Sequence, residues 1–144
     1  MSLTRNHYEA SRWLATARED LTAAQALSRA ELYAHACFQS QQCSEKAIKA
    51  MWIALGEDPW GHSIQKLIMQ FPAPEQIPDW QNWLSKAATL DKFYIPTRYP
   101  NGLPDLTPGQ SYFPADADQA IKQATFFVSI AQEFLDGLRD KNPL

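Results

Sequence analysis

Apolar residues return every three or four positions along most of this chain, and that spacing restricts it to packed helices before any other property is considered. Near the start they fall at Ala10, Trp13, Ala17, Leu21, Ala24 and Leu27, and the same period continues through Tyr33, Ala36, Ser40, Ala47, Met51 and Leu55. The spacing predicts one helix over about residues 5–29 and a second over about 32–55, the latter stopped by Gly56. Only a few residues near Ala30 and Glu31 separate them, a length that favours antiparallel neighbours with facing stripes. Ser63 is placed to cap a short helix over about 63–70, which Pro72 and Pro74 prevent from continuing. Asp79 is placed to cap a fourth helix through Trp80, Trp83, Leu84, Ala87, Leu90 and Phe93, ended by Pro96. A last helix over about 115–139 sets Ala117, Ala120, Ala124, Phe127, Ala131, Phe134 and Leu138 on one face. No stretch alternates as a strand would, so the expectation is an all-α bundle of four long helices and one short one.

Between Ile95 and Pro114 the helical period fails, and five prolines, Pro96, Pro100, Pro104, Pro108 and Pro114, make a long proline-rich loop before the last helix. A loop of that length inside a compact domain points to function, and Tyr94, Tyr99, Tyr112 and Phe113 are expected to anchor it. Arg98 lies among those tyrosines and prolines. A guanidinium keeps its charge and offers a rigid fork of donors suited to phosphate, although it could equally cap carbonyls of the preceding helix.

The second helix carries a polar stripe, Gln39, Gln42, Lys46 and Lys49, at three, four, three spacing. If the end of the fourth helix folds against it, Lys46 or Lys49 could join Arg98 around a phosphate or an RNA backbone; otherwise the stripe is a solvated face with a Glu45–Lys49 pair. Asp91 is placed to orient Arg98 or to cap nearby backbone. Cys37 and Cys43 lie six apart in one helix, roughly 9 Å along its axis, and read as small core residues that cannot pair. His35 does not face Cys37 on a helix, so no nucleophile–base pair is evident there, and His62 reads first as a turn or capping side chain. With no Cys-x-x-Cys and with His7, His35 and His62 scattered, no metal site is expected, and no glycine-rich phosphate loop occurs.

A length of 144 residues, 45% hydrophobic with a net charge of -3, fits a single soluble domain over 1–144, and mild acidity lowers the expectation of broad nucleic-acid capture. Neither end carries an apolar run long enough to span a bilayer, which suggests a cytoplasmic protein with no membrane association. Five tryptophans and seven phenylalanines are many for so small a bundle, and Trp60 and Trp80 are the expected surface cases, favouring association.

Residues 15–27, the run Tyr33 to Ala50, His62-Ser-Ile64 and the segment Leu90 to Asn101 together resemble the HEPN-domain family, and the resemblance covers nearly the whole chain. It implies a four-helix up-and-down bundle that pairs as a homodimer and works beside a small nucleotidyltransferase, often as toxin and antitoxin, without a cofactor. Several such domains are metal-independent ribonucleases, in which an arginine is followed after four to six residues by a histidine and the pairs meet across the dimer. Arg98 matches that arginine. The histidine positions hold Leu103, Pro104 and Asp105, and no histidine follows His62. The resemblance therefore implies a module in which Arg98 holds a nucleotide or RNA phosphate, Tyr99 stacks on a base and Tyr94 shapes the wall. The alternatives are a ribonuclease toxin in which His62 or another base replaces the missing histidine, and a protein-interaction module built on Tyr94, Tyr99 and Tyr112.

Overall fold

A computed structural model describes residues 3–141, and every regular element among them is helical. Helix α1 spans Leu3–Arg29, α2 Tyr33–Ala54, α3 Ile64–Met69, α4 Trp80–Asp91, α5 Pro108–Ser111 and α6 Pro114–Lys141, with single 3-10 turns at Pro74–Gln76 and Pro100–Gly102. Helix α2 is central: α1 and α6 pack along it and against each other, while α3 and α4 pack together and also meet α2.

Alanine explains that arrangement. Ala36, Ala47, Ala50 and Ala54 of α2, Ala10 and Ala17 of α1 and Ala117, Ala120, Ala124 and Ala131 of α6 are all buried in one core, and side chains this small let three long helices approach closely. Larger side chains fill the ends and the α4 side. Trp83 meets Phe126 and Phe127 edge to face, and Phe71 meets Trp52 and Phe134 in the same manner. Helices α1 and α2 end through the same device. Glu31 at φ 64° closes α1 and Gly56 at φ 77° closes α2, each with the next amide reaching back to Leu27 or Trp52, so the last carbonyls find donors within the turn.

The structure departs from the sequence expectations around the loop. Helix α4 stops at Asp91 instead of running to Pro96, since proline disfavours helical backbone at residue 95 and cannot donate to residue 92. The chain tightens into turns in which Phe93 and Tyr94 donate to the carbonyls of Leu90 and Asp91. The segment before α6 is not irregular throughout. Thr107 and Gln110 form a reciprocal capping box around Pro108, which starts α5. Tyr112 anchors the segment against Phe93, with ring centroids 5.9 Å apart, whereas Tyr99 and Phe113 are exposed. Trp60 is exposed as expected, but Trp80 packs against the core. Cys37 and Cys43 are separate, buried thiols. No helix among the described residues is long and apolar enough to cross a membrane.

Candidate functional site

Arg98 occupies the turn that follows α4. Its Nε donates to the Tyr94 carbonyl at 2.8 Å, while the guanidinium carbon lies 4.5 Å from the Phe38 ring centroid, 4.6 Å from Tyr94 and 5.2 Å from Tyr99. The position is set locally. Thr97 is buried and its hydroxyl bonds back to the Phe93 carbonyl, and the Arg98 amide donates to Ile95, so the turn wraps around its own backbone. Three aromatic faces and one carbonyl thus fix the head group, and no ion pair joins it to any carboxylate among the described residues. Its terminal nitrogens remain available as a preoriented donor pair for an anion.

His62 approaches the same tyrosine from the turn before α3. Its ring stacks on Tyr94 with centroids 4.9 Å apart and an interplanar angle of 17°. Nδ1 lies 3.4 Å from both oxygens of Glu45, at long hydrogen-bond range. Glu45 is buried in α2, where Lys49 Nζ meets Oε2 at 3.1 Å and Gln41 Nε2 lies 3.5 Å from Oε1. Gln41 Nε2 also donates to the His62 carbonyl at 3.0 Å. A chain of contacts therefore runs from Lys49 through Glu45 to His62, ending at a side chain that is 60% exposed.

Asp91, at the last position of α4, holds this turn in place. Its Oδ1 accepts from the Ile64 amide at 2.8 Å, and its Oδ2 accepts from the Gln65 amide at 2.9 Å and the Ser63 hydroxyl at 3.0 Å. Ser63 in turn accepts from the Lys66 amide, so two side chains satisfy the orphan donors at the start of α3. Of the two roles open to Asp91, backbone capping is the one observed; it orients the turn carrying His62 and makes no ion pair with Arg98. A cleft of about 140 Å³ lies between His62, Ser63, Asp91 and Tyr94.

Of the residues singled out from sequence, Arg98, Tyr94 and Tyr99 come together. Lys49 reaches the cluster through Glu45 and also lies 6.0 Å from the Trp13 ring centroid. Lys46 is turned toward α1, where it pairs with Asp20 at 2.6 Å and lines a separate cavity with Glu9, Arg12, Trp13 and Thr16. Phe38 is the member that the sequence does not single out; Glu45 is expected there only as the partner of Lys49, and His62 only as a capping side chain or a substitute base, with nothing joining the two. One signal was available: Gln41, Glu45 and Lys49 recur every four positions in a helix whose other faces are mostly small and apolar, which marks a buried polar row. Among the described residues, no three of His, Cys, Asp and Glu cluster as a metal site.

Burial controls the remaining titratable chemistry of the core. Desolvation pushes the thiols of Cys37 and Cys43 up to about 12, aided by the carboxylates of Asp116 and Asp20 respectively, so neither is a thiolate nucleophile at neutral pH.

A family model described as the HEPN domain matches residues 10–135. The chain superimposes on the crystal structure of a Thermus thermophilus protein with a TM-score of 0.82 and 36% identity, covering 87% of this chain and 97% of that one. An archaeal HEPN homologue gives a TM-score of 0.71 with 33% identity, covering 88% and 97%. A provisionally assigned toxin of Methanocaldococcus jannaschii is 29% identical over 126 residues, 83% of each chain.

Proposed function

The chain belongs to the HEPN domain family, and on that premise we propose that it is a toxin-like module that binds the phosphate of a nucleotide or RNA at Arg98. The observation that carries this reading is a guanidinium held by one backbone carbonyl and three rings, without a carboxylate partner among the described residues. An incoming phosphate oxygen pair takes the two terminal nitrogens, a geometry that arginine serves bidentately. Tyr99, half-exposed, stacks a base, while Tyr94 forms the wall. Lys46 and Lys49 reach the phosphate only by exchanging Asp20 and Glu45 for it, so they contribute mainly to the local potential. The same proposal includes a homodimer, a nucleotidyltransferase partner and a cytoplasmic setting. The exposed apolar side chains Trp60, Ile95, Leu106 and Phe113 support association.

The test is fluorescence anisotropy with a labelled single-stranded oligonucleotide and with free nucleotides. One charge-assisted contact of about 1.5–3 kcal/mol corresponds to roughly a ten- to hundredfold loss of affinity in Arg98→Ala. Equal binding by wild type and variant contradicts the assignment. No binding by the wild type would instead leave the exposed aromatics as a protein-contact surface. A sizing measurement that finds only monomer at micromolar concentration removes the homodimer.

A further inference from the structure

We propose that the cleft beside Gly137 of α6 is a second ligand site, independent of Arg98, and that it takes a small zwitterion with an apolar body, of the class of an apolar α-amino acid. The cavity, of about 240 Å³, opens between the second half of α6, the start of α4 and the turn at Pro74–Gln76. Roughly 20 Å of α2 separates Met51, which lines it, from Phe38 beside Arg98, so a small molecule in one site does not reach the other.

The cleft cuts into the core. Met51 and Trp83 both line it, although they are only 1% and 3% exposed. Its aromatic walls are held from behind, Trp83 edge to face on Phe127 and Phe134 edge to face on Phe71. A cavity of about 150 Å³ holds benzene, so this one has room for a side chain of the size of leucine or phenylalanine.

Gly137 keeps the space open. Glycine is the poorest helix former after proline, yet it stands within α6, one turn short of its end. Its backbone is helical, and a Cβ there would meet no atom within 4 Å. Neither backbone conformation nor crowding inside the chain therefore calls for glycine, whereas any longer side chain would enter the cleft that residue 137 lines.

The polar groups at the mouth identify the ligand. Glu133 and Lys141 stand one turn to either side of Gly137, both line the cavity, and neither is paired with an opposite charge among the described residues. A long polar residue at position 137 would pair with one of them at i,i+4 spacing; glycine leaves a carboxylate and an ammonium on the two sides of a gap. Gln76, from the turn across the cleft, adds an amide that both donates and accepts. An amino acid satisfies this set, its ammonium at Glu133, its carboxylate at Lys141 and its side chain against Trp83, Phe134 and Met51. A ligand carrying one charge satisfies one end and meets like charge at the other.

The experiment titrates full-length, ¹⁵N-labelled protein with L-phenylalanine and L-leucine, and with 2-phenylethylamine and 3-phenylpropionate, which keep the ring and lose one charge each. Wild type is expected to show saturable shifts of the Gly137 amide with at least one amino acid, and affinity lower by roughly tenfold or more for both singly charged analogues. Gly137→Leu fills the cleft with a good helix former and is expected to lose at least tenfold in affinity, with a melting temperature equal to or above that of wild type. Gly137→Ala, whose methyl meets no neighbour, is expected to bind more weakly by a smaller factor, and it decides the matter if the leucine variant melts early. Glu133→Gln should lower affinity for the amino acid and raise it for 3-phenylpropionate. No saturable shift with either amino acid, undiminished binding by both glycine variants, or equal binding of a singly charged analogue overturns the inference.

Discussion

Replacing Asp91 tests whether this carboxylate braces the His62 turn or serves Arg98. It accepts three hydrogen bonds, two from the first amides of α3 and one from Ser63, at 2.8 to 3.0 Å. Removing a helix cap costs about 0.5–2 kcal/mol, and loss of a negative charge at a helix N-terminus adds about 0.3–1 kcal/mol. Because Asp91 is half-buried, water restores part of the bonding, so Asp91→Ala should lower stability by roughly 1–2 kcal/mol and the melting temperature by roughly 3–8 °C. Asp91→Asn keeps an acceptor without the charge and should lose about half as much. Urea unfolding followed by tryptophan fluorescence measures both. A double-mutant cycle then identifies the partner: Asp91 and Ser63 should couple, whereas Asp91 and Arg98 should be additive within about 0.5 kcal/mol. A stable Asp91→Ala variant, or strong coupling between Asp91 and Arg98, would refute the bracing role.

Lys49→Met strands Glu45 without its cation in a buried row, and urea unfolding should show a loss of about 3 kcal/mol that a second change, Glu45→Leu, largely restores. Native protein should resist iodoacetamide at pH 8.5, with mass spectrometry finding two modified thiols only after denaturation. Burial raises both thiols from 9.0 to about 12, and a group raised in the folded state stabilises below its unfolded value; stability should therefore hold up to about pH 9 and fall as pH rises toward 12. Flat stability across that alkaline range would contradict the burial argument. Gly56→Ala puts a methyl group 3.0 Å from Asn6 Nδ2 at a φ of 77°, and thermal melts should register a loss of about 1–2 kcal/mol.

The helices were legible because their signal is local. The period through Ala10, Ala17 and Ala24, or Ala117, Ala120 and Ala124, identifies a buried face without knowledge of what covers it. Ser63 as a cap and Gly56 as a stop are likewise short-range signals, and both appear in the structure. The Thr107–Gln110 capping box was equally local, but surrounding prolines obscured a helix of only four residues. The site was legible only in part. Arg98 and its tyrosines adjoin in sequence, whereas Glu45 and His62 meet only after the chain turns back from α2 to α3, and nothing local marks Asp91 as the cap of a helix that begins 27 residues earlier.

Arginine-selective NMR of the guanidinium signals tests the role of Arg98 most directly. Its Nε–H is already bonded to Tyr94, so that resonance should be sharp in the free protein. On titration with a dideoxynucleotide phosphodiester, the expected result is a saturable shift of the Arg98 signals, and Arg98→Lys, followed by anisotropy, should bind the same ligand more weakly, since lysine lacks the planar fork. Saturable shifts elsewhere in the spectrum with Arg98 unmoved would contradict phosphate binding at this residue.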